Sequence, residues 1–409
     1  MANASPSPSP APAGDASLPA SRLFLVLYLT VLSFATFYAP QPLLPLLRAE
    51  FGVSQAAASL LVTVTLLPLS FAPMAYGLLL GSVSTRRLLI VAVTLLAASE
   101  LPLVFTDSFA VALGARAAQG LILPAAVTAL MSYVAANSRG QGLQRAMALY
   151  IGATIFGAFL GRLSAGFLAT MLGWRWAFGV LFAAILAGLP PLLRVKEESR
   201  AGFERLRPIQ VVQALRAPGV LRLYLAVFFV FFVFAAVFNF LPFRLRELDP
   251  GISELRIALM YLGHLVGMML ALSSRRVVAL CGGEIRAILA GLGFYLAVTP
   301  LLSAPVEAVI FTAVSLFCLG MFTVQTTAPG VINRLAPCGP GVVNGLYLSF
   351  YYAGGALGSY LPGYVYRHFG WNAFVLGLCA LQVVALVLAA GLRRSGSALS
   401  GEGAGPACG

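Results

Sequence analysis

Residues 149–178 read LYIGATIFGAFLGRLSAGFLATMLGWRWAF, and residues 346–374 read LYLSFYYAGGALGSYLPGYVYRHFGWNAF. Aligned without a gap, they share Leu149/Leu346, Tyr150/Tyr347, Gly157/Gly354, Leu160/Leu357, Gly161/Gly358, Gly166/Gly363, Gly173/Gly370 and Trp174/Trp371. Each stretch is long, apolar and studded with Gly, and the first carries a single charge, Arg162, before its Gly-Trp ending. Such agreement between two Gly-rich apolar runs marks an internal repeat. A second echo, Ser84-Thr85-Arg86-Arg87 against Ser273-Ser274-Arg275-Arg276, occurs in the same order at a slightly shorter spacing. Parallel repeats of this kind build membrane carriers from two halves related by an axis along the membrane normal.

Composition agrees. Of 409 residues, 60% are hydrophobic and only 10% charged, with a mean hydropathy of +0.93. A soluble chain would carry about 25% charged residues. Runs of about 20 apolar residues, enough to cross a bilayer, recur along most of the length. The net charge of +13 is not the footprint of a nucleic-acid partner, because of where it lies. Arg86, Arg87, Arg139, Arg145, the Arg194–Arg222 segment, Arg275, Arg276, Arg286, Arg334, Arg393 and Arg394 crowd alternate loops. The intervening loops hold fewer, which places both termini in the cytoplasm. The five cysteines are scattered without a CxxC pair, so neither a disulfide framework nor a metal site is expected. Cys408 does not fit a prenylation signal.

The predicted architecture is all-α, with twelve transmembrane helices in two pseudo-symmetric six-helix bundles. Residues 1–21, rich in Ser, Pro and Ala, form a disordered cytoplasmic tail. Residues 22–193 are the N-terminal bundle, 194–219 a cytoplasmic linker, 220–393 the C-terminal bundle and 394–409 a second disordered tail. The first apolar run is too long for a signal-peptide core and is read as a retained span.

Four stretches make the chain resemble the major facilitator superfamily, specifically the bacterial twelve-span proton-coupled efflux carriers of the drug-resistance and arabinose-efflux-permease type. They are Gln41-Pro42-Leu43-Leu44-Pro45 at the exit of the first span, Arg116-Ala117-Ala118-Gln119-Gly120 in the fourth, the glycines around Arg162 in the fifth, and the loop after the second span. The fifth span lacks the Gly-Pro of those carriers. The loop keeps Gly77 and Arg86 but has Gly81 where the family places an Asp and Ser84 where it places a Gly. That Asp helps latch the halves on the cytoplasmic side. The resemblance implies a secondary transporter of the bacterial inner membrane, a monomer that exchanges protons for a small molecule without a cofactor. For Arg116 it implies proton transfer or substrate contact.

Charged groups inside spans are costly and mark functional candidates. Glu100, Arg116, Arg162 and His264 all fall very roughly 9–18 Å from the outer ends of their helices, counting 1.5 Å per residue. Glu100, the one carboxylate clearly within a span, is the first candidate for proton coupling, followed by Arg116 and by His264, which can change charge near neutral pH. Arg116 and Glu100 lie at similar depth on consecutive spans, where they can pair. Arg162 reads equally as a substrate ligand and as a structural tie between helices. Gln41, Tyr38, Tyr150, Asn239, Gln325, Tyr347 and Tyr351 join Arg116 and Arg162 as cavity candidates, with Tyr352 and Asn333 beside them; tyrosines near span ends also form interfacial belts. Gly157, Gly161, Gly354 and Gly358 suit close helix packing, and Gly77 and Arg86 belong to the gating loop.

Export rests on the resemblance. Uptake of an organic anion is the rival, since two arginines against one carboxylate leave the intramembrane layer net positive. A non-transporting receptor on the same fold is a further alternative. A membrane enzyme is not expected, for the sequence holds no HExxH, no GxSxG and no Walker lysine motif.

Overall fold

The computed structural model describes residues 18–79, 84–195, 208–217, 219–336 and 339–399. Gly81, the linker residues 196–207, Cys338, Cys408 and the tails 1–17 and 400–409 lie outside these, as do the surroundings of Gly77.

Among the described residues, eleven helical segments are long and apolar enough to cross a membrane. In the first half these are α1 (Ala20–Glu50), α2 (Gln55–Leu79), α3 (Thr85–Phe105), α4 (Phe109–Ala136), α5 (Gly140–Leu172) and α6 (Trp174–Leu193). A short helix, Pro208–Arg216, precedes α7 (Val220–Leu248), α8 (Glu254–Leu272), α9 (Glu284–Ser303) and α10 (Glu307–Leu335). The last of the eleven is Pro362–Leu392, within α12 (Pro362–Leu399), a helix broken at Gly370; before it α11 (Pro340–Gly358) stops short. Pro362 has no N–H to close onto Gly358, so the helix cannot run through. The residues between Pro362 and Gly370 therefore complete the eleventh span, and the twelfth begins after the break.

The breaks confirm the repeat. Gly173 and Gly370 occupy the same place in the two copies, and both have positive φ, +100° and +79°. Only glycine adopts such values without steric cost, and each lets the chain reverse between two spans.

Apolar helices in lipid gain little from hydrophobic burial against one another, so close packing holds them together. Gly157 and Gly161 of α5 let that helix lie on the backbone of α1; a Cβ at either position would collide with Val31 or Ala35. Gly354 and Gly358 of α11 meet Phe228 and Phe232 of α7 in the same way. The sequence offset that takes Gly157 to Gly354 also takes Val31 to Phe228 and Ala35 to Phe232, so the repeat extends to the helices on which the glycines rest.

Arg22 at the start of α1 and Val195 after α6 line one pocket, and Arg222 at the start of α7 bonds Gly391 O near the end of α12, so these described helix ends mark one face of the bundle, the terminal face, opposite the distal face. The halves meet where α2 packs on α11 and α5 on α8. Thr63 Oγ1 and Ser359 Oγ share a hydrogen bond of 2.7 Å across the first pair, and Leu255 N–H donates to Thr170 Oγ1 at 3.0 Å across the second. Gly166 comes so close to Ala258 and Glu254 that a side chain would not fit. These contacts all lie in the distal half, which they close.

Candidate functional site

The four intramembrane ionisable groups separate into two sites. Glu100 and Arg116 lie inside the first half. Arg162 and His264 face a cavity between the halves.

Arg116 and Gln119, three residues apart, share one face of α4. Arg116 is 1% exposed. Its Nη1 donates to Thr36 O at 2.9 Å and to Gln119 Oε1, its Nη2 to Phe37 O at 2.7 Å, and its Nε to Leu61 O at 2.9 Å. These carbonyls are available for a reason written in the sequence. Pro40 has no N–H to bond Thr36 O, and the turn at Ala39–Pro40 also leaves Phe37 O without a helical donor. Pro102 interrupts α3 similarly. Leu103 N–H bonds to Glu100 O at 3.0 Å, and the freed Ser99 O accepts from Gln119 Nε2 at 3.4 Å. The Arg-x-x-Gln pair thus caps two broken helices. Gly120 lets α4 approach closely enough for this, since a Cβ there would sit 2.8 Å from Thr65 Cα and O.

Glu100 sits at the break in α3, fully buried. Its polar neighbours are Thr36, Arg116 and Gln119; the Thr36 hydroxyl and the Gln119 amide lie within reach of the carboxylate, without the geometry of a full hydrogen bond. The pairing expected of Glu100 and Arg116 is therefore proximity without an ion-pair contact, because the guanidinium is committed to carbonyls.

The second site is a cavity of about 150 Å³ lined by α1 and α5 of one half and by α7, α8, α10 and α11 of the other. Arg162, 1% exposed, is its one cationic side chain, and no carboxylate lines it among the described residues. Arg162 Nε donates to Gln41 Oε1 at 2.7 Å and Nη1 to Ala158 O at 3.0 Å. Its guanidinium carbon lies 3.9 Å from the centre of the Tyr38 ring and 4.8 Å from that of Tyr261. Both are cation–π distances. His264 sits among the rings of Phe234, Phe238, Tyr261 and Phe322, within reach of the Tyr261 backbone. Gln325 Nε2 donates to Tyr351 Oη at 3.0 Å while Gln325 Oε1 is unpartnered. Tyr351 stacks on Phe231 with centroids 3.7 Å apart.

Of the sequence candidates, Tyr38, Arg162, His264, Gln325, Tyr347 and Tyr351 line this cavity, with Tyr352, and Gln41 stands behind Arg162 as its orienting partner. Arg116, Tyr150 and Asn239 do not line it. Tyr150 Oη donates to Val127 O at 2.8 Å, and Asn239 Nδ2 donates to Ser359 O at 2.7 Å while its Oδ1 has no partner. Asn333 holds Pro329 O and Asn344 Oδ1. Arg86 bonds within its own half, to Leu193 O and Val195 O at the end of α6. Sequence reasoning missed Tyr261, Phe231, Phe234 and Phe322. Tyr261 is detectable in principle, three residues before His264 and so on its face; the phenylalanines lie in helices apolar all round, where periodicity has no contrast.

The repeat explains why Arg162 is held as it is. The offset between the copies pairs Arg162 with Ser359, each directly after the second packing glycine. In both halves a side-chain amide from the first helix reaches this position: Gln41 bonds the Arg162 side chain, and Asn239, one place beyond the Gln41 equivalent, bonds the Ser359 carbonyl. One copy of the position became the cation of the cavity; the other became the hydrogen bond to Thr63 that joins the halves.

Two helical bundles closed over a buried central cavity define a membrane transporter. The chain belongs to the Major Facilitator Superfamily, which it matches over residues 26–356. It is 26% identical over 368 residues to the inner membrane transport protein YnfM of Escherichia coli (strain K12), covering 88% of each chain. It is 25% identical over 291 residues to the purine ribonucleoside efflux pump NepI of Escherichia coli O127:H6 (strain E2348/69 / EPEC), covering 69% of this chain and 70% of NepI. In structure it resembles a bacterial homolog of the human lysosomal transporter Spinster in an inward-facing and occupied conformation, with a TM-score of 0.73 at 14% identity, covering 95% and 98% of the two chains.

Proposed function

We propose that this transporter exports a small organic molecule in exchange for protons, by rocking its two halves about the Arg162 cavity. The observation that carries the proposal is the cavity's position: both halves line it, and contacts between the halves close it on the distal side. Such a site can be loaded from the terminal face and emptied when the distal contacts part. The excess of basic residues in the linker and in the loops of the terminal face supports reading that face as cytoplasmic, with the protein in the bacterial inner membrane. The likeness to an efflux pump supports the direction.

Glu100 is the proposed proton carrier. Its carboxylate lies at the breaks of α1 and α3, so a change in its charge acts where these helices are least fixed, and α1 supplies Tyr38 and Gln41 to the cavity site. The monomer contains all these parts.

The test begins with a thermal-stability screen of the purified protein against drugs, sugars and carboxylates, since a ligand of the folded state raises apparent stability. A stabilising solute is then followed in proteoliposomes under an imposed pH gradient. The expected result is solute movement against its own gradient, opposite to the protons and abolished by Glu100→Gln. Flux indifferent to the pH gradient would refute proton exchange.

A further inference from the structure

We infer that the substrate of the Arg162 cavity is a small aromatic carboxylate, with one anionic group and one ring. This inference rests on the transport reading above and names its substrate class.

The charge comes from Arg162. A guanidinium buried away from water needs an opposite charge or a full set of acceptors. Here Gln41 Oε1 and Ala158 O take Nε and one N–H of Nη1, and no protein acceptor takes Nη2 among the described residues. No carboxylate lines the cavity to neutralise the cation. The guanidinium carbon already rests against the Tyr38 and Tyr261 rings, and the donors left over are those of Nη2 and the second N–H of Nη1. An in-plane edge with two N–H donors matches the two oxygens of a carboxylate.

The ring comes from the remaining walls. Phe231, Phe234, Phe322, Tyr347, Tyr351 and Tyr352 surround the space beyond the arginine. Aromatic walls favour a flat apolar body in offset or edge-on contact. At about 150 Å³ the cavity matches the size that holds a single benzene-sized ring. A phosphate monoester brings a double charge to a site with one cation, and an amine meets Arg162 as a like charge. For an anion, export is also downhill in a cell whose interior is negative.

The experiment is equilibrium binding to the full-length protein in detergent, with benzoate and phenylacetate as probes and benzamide and benzylamine as their neutral and cationic counterparts. The expected result is that a carboxylate binds at least about tenfold more tightly than either counterpart, the worth of one charge-assisted hydrogen bond. Arg162→Lys, which keeps the charge but loses the planar edge, should weaken carboxylate binding by a similar factor while leaving the melting temperature unchanged. Phe231→Leu should weaken both carboxylates and benzamide together, separating the ring contact from the charge contact. Benzamide or benzylamine binding as tightly as benzoate would overturn the assignment, as would carboxylate affinity unmoved in Arg162→Lys. Because binding is read without flux, these outcomes leave the export and proton-coupling proposals to their own test.

Discussion

Arg116 and Arg162 are buried to the same degree in the same half of the molecule, yet their surroundings differ in kind. Arg116 ends on three backbone carbonyls and a side-chain amide, all of one bundle. Arg162 makes two protein hydrogen bonds, lies against two tyrosine rings and lines the cavity between the bundles. The first arginine completes a broken piece of secondary structure. The second is left incomplete, and its completion is what a ligand supplies. Burial alone does not separate a structural charge from a functional one; counting acceptors does.

The sharpest way to break this contrast is Arg116→Met. It strips the only described side-chain donor from Thr36 O and Phe37 O and removes another from Leu61 O. At about 1–3 kcal/mol for each buried carbonyl left unpaired, stability should fall by about 3 kcal/mol or more. Denaturant or thermal unfolding in detergent measures it, and an unchanged midpoint would mean that the capping network does not hold the bundle.

Next in size are the matched glycines. Gly161→Ala and Gly358→Ala each push a methyl into the backbone of the neighbouring helix, and overpacking of this kind costs about 1–3 kcal/mol. Because the two contacts are copies, the two losses should agree; a large loss in one half alone would break the equivalence on which the Arg162/Ser359 comparison stands. Smaller again is Trp371→Phe, which forfeits the hydrogen bond from Nε1 to Leu302 O, 2.8 Å long, and should cost about 1 kcal/mol. Trp174→Phe loses no such bond, since Trp174 Nε1 has no partner, so it should cost less. The smallest stability effect belongs to Glu100→Gln. Its oxygens make no full hydrogen bond, and the Gln amide oxygen can keep whatever Thr36 and Gln119 offer, so folding should be preserved while proton-driven flux stops.

Much of the fold was legible because a duplicated sequence writes its constraints twice. The Gly157/Gly354 and Gly161/Gly358 pairs announced close packing, and Gly173/Gly370 the turns, from identity alone. The split of the eleventh span at Pro362 was not anticipated, although a proline in mid-span is its visible cause. The site was legible only in part. Arg162, His264, Tyr38, Gln325, Tyr347 and Tyr351 were named and do converge, but the resemblance drew attention to Arg116, whose bonds depend on which carbonyls Pro40 and Pro102 release in other helices. That is a three-body relation, and no spacing within one helix encodes it. Counting residues assigns Glu100, Arg116, Arg162 and His264 to one layer; it carries no information on which side of its helix each group faces, and that divides them into two sites.

The most direct measurement is the unfolding of Arg162→Met beside that of Arg116→Met in the same detergent, with solute flux recorded for the first. Removing a buried cation that has no counter-charge is expected to leave stability within about 1 kcal/mol of the parent, or to raise it, while transport is lost. A loss of stability as deep as that of Arg116→Met would show that Arg162 is a second structural tie and that the cavity has no cation reserved for its ligand.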